Sequence, residues 1–113
     1  VFSPLTPGSA VERAALEDAT VVVLNGSNAT GLDTRTANYL SSLGIAAQAG
    51  GAANDGYNTA RVIDHTGNPF TIAWLADLMR IPQNQIIHEF EPGSNTGVTL
   101  IVGNDWAANN PMP

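Results

Sequence analysis

Two histidines and a few carboxylates are the residues whose types suit chemistry: Asp64-His65, His88-Glu89, and Glu91 two residues further on. Imidazole and carboxylate groups serve as metal ligands and as general acids and bases. Their spacing does not gather them. Successive side chains of a strand point to opposite faces, so neither histidine can close on one ion with its neighbouring carboxylate. Both are read as ordinary strand-end histidines. Glu89 and Glu91 share a strand face, but a solvated edge explains them more simply than a catalytic carboxylate pair does. A nucleophile elbow G-x-S-x-G is absent, and Gly93-Ser94-Asn95 lies in a loop with no helix behind it. The chain has no cysteine, which removes thiol catalysis, disulfides and cysteine-based metal sites. No catalytic residue, metal ligand or cofactor is assigned.

The turn Gly26-Ser27-Asn28-Ala29-Thr30-Gly31 lies between an apolar run and a helical pattern, where free amides and the helix dipole favour an anion. The phosphate-loop pattern requires Lys and then Ser or Thr after its second glycine, but here Leu32 and Asp33 follow. The glycines also miss the dinucleotide spacing, and Asp33 would repel a phosphate. The segment is therefore read as a structural turn, with Asn25, Gly26, Ser27 and Gly31 as candidate recognition residues. Asn25-Gly26-Ser27 and Asn28-Ala29-Thr30 match the glycosylation sequon, a match frequent by chance. Trp74 sits on an amphipathic pattern and is read as core or core edge. Trp106, beyond the last strand, is open between packing the sheet edge and forming a contact surface with Asp105.

The elements that would position these residues follow from apolar periodicity. Val21 to Leu24 is a continuous apolar run, suited to a strand buried on both faces. Leu32, Thr36, Tyr39, Leu40 and Leu43 recur at helical spacing, and Gly44 stands where a helix C-cap wants positive φ. Ile45 to Gln48 is a weak second strand, followed by a loop from Gly50 to Asn58. A third strand runs from Thr59 or Ala60 to His65. Asn68-Pro69 opens a second helix as N-cap and first residue, with Ile72, Leu75, Ala76 and Met79 on one face and Pro82 as its stop. Ile86 to Phe90 and Val98 to Val102 close the pattern as two strands.

The order β-α-β-β-α-β-β predicts an α/β (α+β) two-layer sandwich: one mixed sheet of about five strands, both helices on one face, with a closing hairpin. It is related to the ferredoxin-like arrangement, and the strand order stays open. Residues 1–19 read as a linker with a short helix over Ala10 to Asp18, residues 20–106 as the domain, and 107–113 as a flexible tail.

Composition bounds the function. Of the 113 residues 43% are apolar and only 12% charged, so the chain can build a core while its surface relies on uncharged polar groups. The net charge is −6, and the 4 basic residues are all arginine: Arg13, Arg35, Arg61 and Arg80. Nucleic-acid binding draws on several clustered cations, and four scattered arginines do not supply them. Anionic lipid surfaces are disfavoured for the same reason. The sequence opens on Val1 rather than Met, and it is expected to be a piece of something longer, with any signal or anchor upstream.

Val21-Val22-Val23-Leu24-Asn25-Gly26-Ser27, then Gly31-Leu32 opening a helix that closes at Leu43-Gly44, resembles the opening signature of the LytR C-terminal domain. Val98-Thr99-Leu100-Ile101-Val102-Gly103 followed by Asp105-Trp106 is similar to that family's closing signature. The resemblance spans about Thr20 to Trp106. It implies a bacterial cell-envelope context: such domains commonly follow a LytR-CpsA-Psr glycopolymer transferase domain or a membrane anchor, and were historically named transcriptional attenuators. It implies a non-catalytic extracytoplasmic module whose partner is an envelope protein or cell-wall glycan, with no nucleic acid and no direct membrane contact. The competing readings are a small enzyme acting on wall or lipid-linked sugars through Glu89, Glu91, Asp64 or His65, and a nucleic-acid-binding regulator. The oligomeric state is not fixed by the sequence.

Overall fold

The computed structural model describes residues 19–53, 56–91, 93, 96–108 and 110. Residues 1–18 of the expected linker, with its helix at Ala10 to Asp18, and residues 109 and 111–113 of the expected tail lie outside the described residues. Five strands and three helices are described: β1 (Val21–Asn25), α1 (Leu32–Ser42), β2 (Ala47–Ala52), β3 (Arg61–Asp64), α2 (Pro69–Met79), β4 (Ile86–His88), β5 (Val98–Val102) and α3 (Asn104–Ala108). A 3-10 turn at Gln83–Gln85 leads into β4.

The strands form one mixed sheet in the order β2-β1-β5-β3-β4, the expected α+β class. β1 runs parallel to β2 and β5, β3 runs parallel to β4, and β3 and β5 are antiparallel. The units β1-α1-β2 and β3-α2-β4 thus flank β5. This corrects the closing hairpin, because β5 inserts between β1 and β3 instead of pairing with β4. Burial gives the reason. β5 carries Val98, Leu100, Ile101 and Val102 buried, so it gains most from a central position with ladders on both sides. β4 has three residues, half-buried to exposed, and suits an edge.

Pairing registers align the core face. Val21 lies opposite Val98, Val23 opposite Leu100, and Leu100 opposite Val62. These side chains are fully buried, and they form one cluster with Leu32 and Leu40 of α1, Ile72, Leu75 and Met79 of α2, and Trp106 of α3. Each such aliphatic side chain contributes about 1.5–3 kcal/mol by leaving water. The three described helices gather on that face, and among the described residues β1 is not buried on both sides: Val22 and Leu24 stay half-buried.

β2 runs further than the sequence pattern suggests, through Gly50 and Gly51 of the expected loop. Its register against β1 slips between Val23 and Leu24. A Cβ on Gly50 would lie 2.6 Å from Val22 Cγ1 and 2.8 Å from Leu24 Cδ2, and Gly51 has φ +94°. The two glycines are thus the requirement of a bulged edge strand and not a loop signal. α2 begins at Pro69 after Asn68, as expected, but it ends at Arg80, whose φ is 55°, before Pro82 is reached. Ala19, at the end of the expected linker, is buried in the core. At the other end α3 carries helix through Ala108 into the expected tail, and Asn110 Nδ2 donates to Trp106 O at 2.7 Å.

Candidate functional site

The turn after β1 is built by its own side chains. Asn25 Oδ1 accepts from Ser27 N–H at 3.0 Å and from Ser27 Oγ–H at 2.7 Å, while Asn25 Nδ2 donates to Ala29 O at 2.7 Å. Ser27 Oγ in turn accepts from Ala29 N–H at 3.1 Å. Gly26 N–H donates to Val102 O at 2.9 Å, and a Cβ there would meet the Tyr57 ring at 2.7 Å and Ile101 at 2.9 Å. Gly31 then takes φ 78° as the N-cap of α1. The reason for an Asn-Gly-Ser triplet is therefore local: an amide that knots the turn, a residue with no side chain, and a hydroxyl that continues the knot.

The closing signature folds against this turn, because Asn25 and Val102 are paired at the same end of parallel neighbours. Asn104 Oδ1 accepts from Asn28 N–H at 3.0 Å, and Asn104 Nδ2 donates to Asn58 Oδ1 at 3.1 Å. Asp105 Oδ1 accepts from Ala60 N–H at 3.1 Å and Trp106 N–H at 2.7 Å. Gly103 is packed so closely that a Cβ would sit 2.7 Å from the Thr59 carbonyl carbon. Trp106 is only 2% exposed, and its Nε1–H donates to Thr36 Oγ1 at 2.9 Å. The indole is a core residue and not a contact surface, since the short helix α3 turns it inward beneath α1. Its polar N–H has a partner there, which makes burial affordable. Trp74 packs half-buried against the same core.

Asn25, Ser27 and Gly31, with Asn28, Thr30, Asp33, Gly51 and Ala52, line an open cleft of about 330 Å³. It lies at the carboxyl end of the parallel pair β1 and β2, where ligands of open α/β sheets are commonly held. The amides of Gly26, Ser27, Asn28 and Ala29 are all bonded to protein acceptors. They form no cradle for a phosphate. Asp33, buried at the cleft's side, accepts from Gly51 N–H at 3.0 Å and ties the edge strand to α1. Asn28 and Thr30 stand exposed at the rim. The cleft thus offers neutral amides and hydroxyls around one carboxylate, suited to hydroxyl or amide groups of a partner. A second cleft of about 640 Å³ lies between the end of α2 and α3, bordered by Leu78, Met79, Arg80, Asp105 and Trp106.

The carboxylates and histidines are arranged otherwise than their sequence positions suggest. Asp64 is buried, and its carboxylate accepts from Gly67 N–H and Asn68 N–H, which builds the turn into α2. His88 is exposed, with Nδ1 3.9 Å from Asp64 Oδ2. His65 is not an ordinary solvated strand-end histidine: it is 9% exposed, and its Nε2 lies 2.8 Å from Thr99 Oγ1. Its Nδ1 lies 2.9 Å from Glu91 Oε1, an ion-pair contact that does not meet hydrogen-bond geometry. Ligand atoms of His65, Glu89 and Glu91 fall within 4.8 Å of one another. Residue-by-residue alternation missed this group because the juxtaposition is made across strands. Val62 pairs in parallel with Ile86, an offset that continues to His65 and Glu89. Paired residues share a face, and Glu91 returns to it two positions on. That offset was the available signal, hidden until β3 and β4 were known to be neighbours.

The family described as LytR cell envelope-related transcriptional attenuator matches residues 18–106. The chain belongs to this family. The crystal structure of the soluble domain of a conserved hypothetical secreted protein from Mycobacterium marinum is similar in fold, with a TM-score of 0.65. It is 19% identical, and the match covers 86% of this chain and 70% of that one. No curated protein is similar enough to the chain to count as a relative. Among the described residues no helix is long and apolar enough to cross a membrane.

Proposed function

We propose that this chain is a non-catalytic, extracytoplasmic docking module of the bacterial cell envelope. It binds an envelope protein or a cell-wall glycan at the cleft beside the Asn25–Gly31 turn, as an accessory to a glycopolymer transferase or membrane anchor. The family assignment supports the envelope context, and the secreted neighbour supports an extracytoplasmic setting. The observation that carries the proposal is the convergence of the two family signatures: Asn104 ties the closing segment to the turn that lines the cleft. Residues whose side chains hold that turn in one shape are what a recognition surface needs. A rim of Asn28 and Thr30 fits hydroxyl-rich or amide-rich partners, while the net charge of −6 disfavours nucleic acid.

The test is a nuclear magnetic resonance titration of the chain with soluble peptidoglycan fragments, alongside co-sedimentation with purified wall and capture of envelope proteins. Perturbed resonances are expected at residues 25–33 and 51–52. Asn28→Ala with Thr30→Ala weakens binding about 5-fold or more, the value of one or two net hydrogen bonds. Binding to neither glycan nor envelope protein, or binding that maps elsewhere, defeats the proposal. The enzyme reading draws on Glu89, Glu91, Asp64 or His65, none of which lines either cleft. Turnover of lipid-linked or wall sugars by the isolated chain would favour it instead.

A further inference from the structure

We infer that His65 Nδ1, Glu89 and Glu91 form a binding site for a divalent transition-metal cation, on the sheet face away from the helices. The inference is independent of the docking proposal. Val98 and Leu100 point into the helical core, so Thr99 between them points to the opposite face. His65 reaches that face, with Nε2 at 2.8 Å from Thr99 Oγ1. In the tautomer whose Nε2–H donates to the hydroxyl, the Nδ1 lone pair faces Glu89 and Glu91. An outer hydrogen-bond partner on the second ring nitrogen is the usual companion of a metal-ligating histidine.

Nδ1 is buried and, among the described residues, has no hydrogen-bond partner, with Glu91 Oε1 as its ion-pair contact at 2.9 Å. A buried lone pair beside two carboxylates is repulsive unless a proton or a cation lies between them. The 2.9 Å contact between Nδ1 and Glu91 Oε1 does not meet hydrogen-bond geometry, so the two groups sit offset from a shared-proton arrangement. A cation accounts for the offset. With metal–ligand distances of about 2.0–2.2 Å, a nitrogen and an oxygen 2.9 Å apart subtend about 90° at the metal. The oxygen then lies well off the ring axis, which fits a close contact without hydrogen-bond geometry. Glu89 and Glu91 are exposed and have the freedom to close the remaining distance. One imidazole with two carboxylates favours zinc or a neighbouring first-row ion over magnesium or calcium, which take oxygen ligands.

The test titrates Zn²⁺ into the metal-free chain and follows it by calorimetry and by the His65 ring nitrogen resonances. One Zn²⁺ per chain is expected, with Nδ1 shifted, Nε2 protonated, and no displacement by excess Mg²⁺ or Ca²⁺. Glu89→Gln with Glu91→Gln weakens binding about 10-fold or more, while Asp77→Asn on the exposed side of α2 leaves it unchanged. Both glutamates are exposed, so an unchanged melting temperature of the metal-free double variant confirms that folding is intact. Failure to bind, equal affinity in the double variant, or an unmoved Nδ1 resonance overturns the inference.

Discussion

Replacing Thr36 by valine keeps the side chain's shape and removes the hydroxyl that accepts Trp106 Nε1–H at 2.9 Å. Thr36 is fully buried and Trp106 is 2% exposed, so water cannot replace the lost acceptor. An unsatisfied buried donor costs about 1–3 kcal/mol. At about 4–8 °C per kcal/mol for a domain of this size, a loss near 2 kcal/mol lowers Tm by about 8–16 °C. Trp106→Phe removes the donor along with part of the ring, and the double variant leaves no indole N–H to be orphaned. The two substitutions should therefore couple, the double losing about 1 kcal/mol less than the sum of the singles. Urea unfolding followed by circular dichroism measures all four proteins at constant m, so that midpoint shifts report stability. Additive losses, or a Thr36→Val midpoint equal to the parent, would refute the placement of Trp106 in the core.

Two further outcomes follow from close packing and from the turn before α2. Gly103→Ala forces a Cβ to 2.7 Å from the Thr59 carbonyl carbon and 3.0 Å from Ala60 N, so it should destabilise by about 1–3 kcal/mol in thermal unfolding. Gly93→Ala, whose Cβ meets none of the described residues within 4 Å, is the control, and equal melting of the two would contradict the packing. Asp64→Ala strips the acceptor from Gly67 N–H and Asn68 N–H and should cost about 2 kcal/mol or more. Asp64→Asn keeps one carbonyl oxygen and should lose less, and the reverse order in urea midpoints would overturn that account.

What the sequence determined by itself was everything that local chemistry dictates. The apolar run at Val21, the helical spacing from Leu32 and the Asn68-Pro69 start gave the elements and the fold class, because those signals act within a few residues. The turn at Asn25-Gly26-Ser27 was legible for the same reason. Tertiary structure alone decided the rest. It placed β5 between β1 and β3, since only the finished core reveals which strand gains most from a central position. It turned Trp106 inward to Thr36, some seventy residues away by number. It also set His65 beside Glu89 and Glu91, because a parallel pairing joins positions whose separation is fixed by the length of the intervening helix. No local pattern carries such a distance, and only the assembled sheet shows which side chains it brings to one face.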